Sequence, residues 1–168
     1  MIYLFHGTIT PFDNIDVTKG KGFKDFGKGF YCSDMLKHSA SLACRNKSGR
    51  NKTGYVYKYA FDIAEFKEFN IKYFQCANLE WFDFILTNRQ NSTTKHVYDI
   101  VIGPTADDNT NQVLSAYQHG LYGEVGSLLA KETAVRLLLS YKLATQYFFA
   151  TDEAAQRLEA HGRQVIYV

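Results

Sequence analysis

The sequence predicts an α+β fold. Short apolar or alternating runs of strand type recur along the chain, amphipathic segments of helix type lie between them, and their order is not a regular strand–helix alternation. Of 168 residues, 46% are hydrophobic and 15% aromatic. A chain of this length buries roughly 70% of its unfolded surface, so one domain over residues 1–168 holds a core without metal or disulfide staples. Most of the 13 phenylalanines and 12 tyrosines therefore lie in that core or line a pocket.

The first element is a strand at Ile2–His6, a short apolar run stopped by Gly7. The stretch from Lys19 to Gly29 carries Gly20, Gly22, Gly27 and Gly29, a loop whose backbone can approach a neighbour closely. Phe30–Cys32 is a brief strand. Ser33-Asp34 offers cap chemistry for a helix from Met35 to Cys44, with Ser39 on or beside its apolar face. Arg45–Gly54 is polar, aperiodic and read as an exposed loop. Tyr55, Tyr57, Tyr59 and Phe61 alternate with Val56, Lys58 and Ala60, the period of a half-buried strand.

Phe69–Phe74 reads as another strand. Asn78 caps a helix running through Phe82 and Ile85 to Asn88, and polar loop follows to Lys95. Val97–Ile102 is a strand that stops at Gly103-Pro104, with polar loop over Thr105–Asn111. Val125–Leu143 reads as the longest helix. Gln146–Phe149 is a strand, Thr151 opens a short helix that Gly162 ends, and Gln164–Val168 closes as a strand.

The balance of 19 basic and 17 acidic residues, net +2, neither names nor excludes a charged partner. Cys32, Cys44 and Cys76 are odd in number and unpaired in spacing, which suits free thiols in a reducing cytoplasm. Met1–His6 lacks the basic start of a signal peptide, and no apolar run reaches the roughly 20 residues that span a bilayer. A cytoplasmic protein without membrane attachment is the expectation. His38, His96, His119 and His161 form no HxH or HExxH group, so no metal is expected.

Three segments carry chemistry in order: His6-Gly7-Thr8, then Phe26-Gly27-Lys28-Gly29-Phe30-Tyr31-Cys32-Ser33-Asp34, then Lys37-His38-Ser39-Ala40. Together they closely resemble the donor-site signature of the diphtheria-toxin and poly(ADP-ribose) polymerase branch of ADP-ribosyltransferases. The likeness covers about the first 45 residues well and the remainder by element order. Lys24–Tyr31 and Asp99–Asp107 also resemble small bacterial domains of that superfamily with a KDFGKGFY core and a DIVIGPxAD strand. The fold this implies is a split β-sandwich of two small antiparallel sheets with flanking helices, NAD lying in the cleft between them.

By the same resemblance His6 bonds the adenosine-side ribose, the Gly7 backbone holds the nicotinamide carboxamide, Tyr31 stacks on the nicotinamide ring, and Ser39 bonds the carboxamide. Thr8 and Gly29 fall in the NAD-binding motifs. Leu42 stands where the polymerases place a second stacking tyrosine. Gln146 stands where the family has a catalytic glutamate, so His6, Tyr31 and Gln146 form the implied triad. A glutamine amide can orient a ribose hydroxyl but cannot act as a base near neutral pH. Losing a general base lowers rate on the order of 10²–10⁴-fold, which weakens chain elongation more than a single transfer.

Glu124, Glu132, Asp107 and Glu153 are alternative carboxylates. Asn88, Arg89 and Asp107 are placed near the same site, Arg89 as a pyrophosphate partner through bidentate pairing. Lys19, Lys21, Lys24 and Lys28 make the glycine-rich loop basic, which suits pyrophosphate or a nucleic-acid acceptor. The function implied is NAD-dependent mono-ADP-ribosyl transfer to a macromolecular acceptor, protein or nucleic acid. Small bacterial relatives of this kind are often toxins of toxin–antitoxin or defence modules, so an antitoxin protein is an expected partner. The alternatives are an NAD- or ADP-ribose-binding module without transfer, and an NAD glycohydrolase.

Overall fold

The computed structural model describes residues 1–44, 53–93, 96–106, 108–141 and 143–167. Its strands are β1 (Ile2–Thr8), β2 (Phe30–Ser33), β3 (Thr53–Phe61), β4 (Ile71–Tyr73), β5 (Ile100–Pro104), β6 (Thr145–Phe149) and β7 (Glu159–Tyr167). Its α-helices are α1 (Leu36–Cys44), α2 (Leu79–Arg89), α3 (Asp108–Gln118), α4 (Leu128–Leu138) and α5 (Asp152–Gln156). The strands form one sheet in the order β4-β5-β6-β2-β1-β3-β7, antiparallel throughout except for the β4–β5 pair. This is a mixed α+β fold with one large mixed sheet, where two wholly antiparallel sheets were expected.

Alternation across the sheet separates two cores. Val101 and Phe148 point into a layer with Trp81, Phe82, Ile85, Leu114, Ala134 and Leu138 of α2, α3 and α4. Ile100, Ile102 and Phe149 point the other way, onto Leu4, Tyr57, Tyr59, Phe61, Phe66 and the small face of α5. The period of two explains why neighbours in one strand serve opposite cores. Both faces are therefore covered over the middle of the sheet, and β3 is buried on both sides where a half-buried strand was expected.

Several boundaries differ from the sequence reading. The strand β3 starts at Thr53, two residues inside the expected loop, while residues 45–52 of that loop lie outside the described residues. The expected strand over 69–74 shrinks to three residues, and β5 begins three residues late yet runs through Gly103 and Pro104. The helix α3 occupies much of what was read as loop after Thr105. Its opening Asp-Asn-Thr-Asn favours caps and turns, and burial of Val113, Leu114 and Tyr117 overrides that preference.

The helix α4 has 11 residues, the same as α2 and α3, and is not the longest. Gly123 and Gly126 take positive φ ahead of it, and the Ser127 side chain accepts from the Ala130 N–H to set its start. The last helix stops at Gln156, well before Gly162, because β7 is needed to extend pairing along β3. Gly162, at φ 113, lies within that strand. The Asn78 cap is as expected, with its side chain accepting from Trp81 N–H at 2.8 Å.

The position of α1 matters most for the site. A Cβ at Gly7 would lie 1.8 Å from the Ser39 carbonyl oxygen, and one at Gly54 2.6 Å from that of Ala43. Glycine on these two strands lets the helix backbone settle directly on the sheet. The Ser39 hydroxyl then donates to the Phe5 carbonyl at 2.8 Å and pins the contact. Gly7→Ala is expected to lose at least the roughly 3 kcal/mol at the upper end of overpacking, read as a lowered urea midpoint. Gly162→Ala meets open space and is expected to lose only about 1 kcal/mol, from its positive φ.

Candidate functional site

The sheet is weakest between β1 and β2. Strand β1 pairs with β3 along its whole length, from Ile2↔Phe61 to Thr8↔Tyr55, and β2 pairs with β6 from Phe30↔Phe149 to Ser33↔Gln146. Between β1 and β2 the register holds one pair, Phe5↔Ser33. Beyond it the two strands part while their outer neighbours still hold them. The Tyr31 carbonyl, left without a ladder partner, accepts from His6 Nδ1 at 2.7 Å, a side chain doing what an amide does elsewhere in the sheet.

A cavity of about 200 Å³ opens at this parting. His6 and Gly7 of β1, Tyr31 of β2, Ser39 and Leu42 of α1, and Gln146 of β6 all line it. Drug-sized ligands are enclosed from roughly 300 Å³ upward. The enclosed space is smaller than that, so a molecule of such size would extend beyond it into the open mouth.

His6 stacks on Phe30 with ring centroids 4.4 Å apart, and Phe12 meets its edge at 5.5 Å. Burial pushes its pKa below the ordinary 6.5, the bond to Tyr31 opposing this more weakly. Donation from Nδ1 fixes the neutral tautomer, so Nε2 is an acceptor. The Tyr31 hydroxyl donates to the Gly27 carbonyl at 2.6 Å and accepts from the Phe26 N–H at 3.1 Å, closing the 26–31 loop on itself. Its ring rests on Phe148 at 4.8 Å. Burial, and then the charge of Asp25, push its pKa well up, so the hydroxyl stays protonated.

Asp25, which sequence reasoning missed, lines the same cavity and is 8% exposed. Its Oδ1 accepts from Arg89 Nε at 2.8 Å and pairs with Arg89 Nη2 at 2.6 Å. Its Oδ2 accepts from Gln146 Nε2 at 3.1 Å and Ala106 N–H at 3.3 Å. Its side-chain partners lie 64 and 121 positions away, so no local sequence signal marks it.

Lys24 of the basic loop also lines the cavity, and several other expected residues stand elsewhere. Arg89 gives Nε and Nη2 to Asp25 and Nη1 to Asn111 Oδ1 at 2.5 Å, so its fork is engaged within the protein rather than offered to a pyrophosphate. Asn88 is buried and its amide donates to the Phe84 carbonyl, a bond inside α2. Thr8 exchanges hydrogen bonds with the Thr10 backbone and closes the turn after β1. At Gly29 a Cβ would meet Phe148 and the Phe149 carbonyl at 2.4 Å, so this glycine makes room for β6. Glu124, Glu132 and Glu153 are exposed and none lines the cavity. Asp107 lies outside the described residues.

His96 braces the loop from below. Its Nε2 donates to the Phe26 carbonyl at 2.8 Å and its Nδ1 accepts from the Tyr98 N–H at 3.3 Å, the pattern of a neutral ring. Burial holds its pKa down as well. The unfolded chain takes up a proton near 6.5 before either His6 or His96 does in the folded state. Their contribution is therefore complete above that pH and lost as pH falls below it. The urea midpoint is expected to drop between about pH 7.5 and about pH 5.5, and His6→Gln or His96→Gln to flatten part of that slope. An unchanged slope in both variants would assign the pH dependence to other groups.

Among known families, the one described as Protein of unknown function (DUF3990) matches residues 2–160. No curated protein and no solved structure matches the chain. Among the described residues, no helix is long and apolar enough to cross a membrane.

Proposed function

The chain belongs to the DUF3990 family, and we propose that this member is an NAD-dependent mono-ADP-ribosyltransferase. The observation that carries the reading is convergence. His6, Gly7, Tyr31, Ser39 and Gln146, singled out from separate motifs, line one cavity where β1 and β2 part. A donor site needs such a place, with exposed backbone on one strand, an aromatic ring on the next and a hydrogen-bonding residue on a third. In this reading the sheet acts as two halves, split at the single β1–β2 pair, with the nicotinamide end of NAD in the split.

Transfer breaks the bond between C1′ of the ribose and the nicotinamide nitrogen, and the electron pair leaves with nicotinamide. The cationic sugar is captured by a nucleophilic atom of the acceptor, whose proton passes to a base or to water. Tyr31 offers a ring fixed at its hydroxyl by two backbone groups, so little orientational freedom remains to be lost on stacking. His6, neutral with Nε2 as acceptor, suits a ribose hydroxyl. The Ser39 hydroxyl gives its hydrogen to Phe5 and keeps lone pairs for a carboxamide N–H. Gln146 orients without taking a proton, which favours one transfer over chain growth. The acceptor is a protein or a nucleic acid, the setting a bacterial cytoplasm, and a neutralising antitoxin a fitting partner.

The test is incubation of the purified protein with adenylate-labelled NAD and cell lysate, beside a Tyr31→Ala variant whose folding is checked by its melting curve. Label is expected on macromolecules with the wild type and not with Tyr31→Ala, and protease or nuclease digestion then names the acceptor class. Free ADP-ribose without labelled macromolecule would reassign the site to NAD hydrolysis. NAD bound without turnover would make it a binding module, and absence of both binding and turnover ends the donor reading.

A further inference from the structure

The amide of Gln146 is not free to choose its orientation. The residue is 7% exposed, and its Nε2 donates to Asp25 Oδ2 at 3.1 Å and to the Pro104 carbonyl at 3.3 Å. An amide nitrogen has two hydrogens, and these two acceptors take both. A flipped amide would set Oε1 against a carboxylate and a carbonyl, acceptor against acceptor. The atom Gln146 has left to offer is therefore Oε1, an acceptor, as a glutamate oxygen would be.

Asp25 enforces this and is itself enforced. Arg89 holds its Oδ1 through two N–H groups, and the Ala106 N–H joins Gln146 on Oδ2. Both carboxylate oxygens are thus engaged by protein, and Arg89 offsets their charge. We infer that Asp25 is a positioning residue: through Gln146 it makes a neutral amide present only an acceptor to the donor ribose, filling the hydrogen-bonding half of the role a glutamate has at this place. The inference rests on the NAD reading above and adds to it the reason a glutamine can stand there.

The substitution Asp25→Asn reverses the signal. Arg89 carries only donors, so the introduced asparagine must turn its oxygen toward Arg89 and its NH₂ toward Gln146. Two donors then oppose each other, and the Gln146 amide loses the partner that fixes it. In the Gln146→Glu variant the requirement disappears, since either carboxylate oxygen accepts, and the NH₂ supplied by Asp25→Asn becomes a good partner. Gln146→Glu alone, with Asp25 kept, is then the unfavourable pair, two carboxylates in contact. The swapped pair turns two long contacts, each 3.3 Å, into weak oppositions, a glutamate oxygen against the Pro104 carbonyl and the asparagine NH₂ against the Ala106 N–H.

The experiment is a double-mutant cycle on the full chain, with nicotinamide release from NAD as the readout and melting curves as the folding check. In the Gln146 background, Asp25→Asn is expected to lower kcat on the order of 10–100-fold, the usual loss when the partner that orients an active-site group is removed. KM for NAD is expected to stay close to the wild type. In the Gln146→Glu background the same Asp25→Asn change is expected to raise kcat. A merely structural Asp25 would cost activity in both backgrounds, and that result, or no loss in the first, overturns the inference while leaving the donor reading intact.

Should Asp25→Asn fail to fold, the side-chain amide signals of Gln146 in wild-type NMR spectra decide instead. Both hydrogens protected from solvent exchange support the inference, and rapid exchange overturns it. A wild type that neither binds nor turns over NAD removes the donor reading and this inference with it.

Discussion

A carboxylate taken out of water must be met by donors on every side, and Asp25 forces the cavity wall into shape by that requirement. Its partners come from Arg89 at the end of α2, from the backbone after β5 and from Gln146 on β6. No two of these are neighbours in sequence. Arg89 also reaches Asn111 of α3, so the glycine-rich loop, two helices, the segment after β5 and strand β6 are joined around one ion pair. Removing one member of a fully buried pair typically costs about 3–5 kcal/mol, and the loss here is expected to be smaller because the Arg89 side chain keeps 23% of its surface exposed.

The opposite wall has a different cause. Strand β1 is held along its length by β3, and β2 by β6, so neither can close the gap between them once their own pairing stops at Phe5↔Ser33. The gap survives because its polar edge is satisfied from within: His6 covers the Tyr31 carbonyl, and Tyr31 in turn covers the backbone at 26 and 27. Helix α1 supplies the floor, set by two glycines and the Ser39 hydroxyl. The cavity is therefore a place where a sheet is kept from pairing, not a hollow left by poor packing.

Much of this was legible in the sequence, and what was not has identifiable reasons. The strands read at 2–6, 30–32 and 146–149, each one or two residues shorter than β1, β2 and β6, and the helix after Asn78 followed from apolar runs and a cap, signals that are local. The members of the cavity wall His6, Gly7, Tyr31, Ser39 and Gln146 were legible because their motifs are local too. The helix α3 was not, since its first turn reads as loop and only burial of Val113, Leu114 and Tyr117 makes it a helix. Gly162 misled because a glycine that ends a helix and one that kinks an edge strand look alike without the partner strand. Arg89 and Asp25 explain each other, and a pairing across 64 positions in sequence leaves no local trace.

The electrostatics of the cavity limit the chemistry it can support. Burial keeps His6 neutral and Tyr31 protonated, Gln146 cannot ionise, and the charge of Asp25 is met by Arg89. A cation forming at the sugar would thus find oriented oxygen acceptors and aromatic surface rather than a bare negative charge. On the donor reading, such a site would assist the departure of nicotinamide mainly through geometry fixed in advance, which adds no reorganisation cost as charge develops. It does little for an acceptor that must first lose a proton, because a buried imidazole with a lowered pKa is a weak base. On the donor reading, the acceptors best matched to this cavity are atoms that attack before they deprotonate, such as ring nitrogens with an available lone pair, rather than unactivated hydroxyl groups.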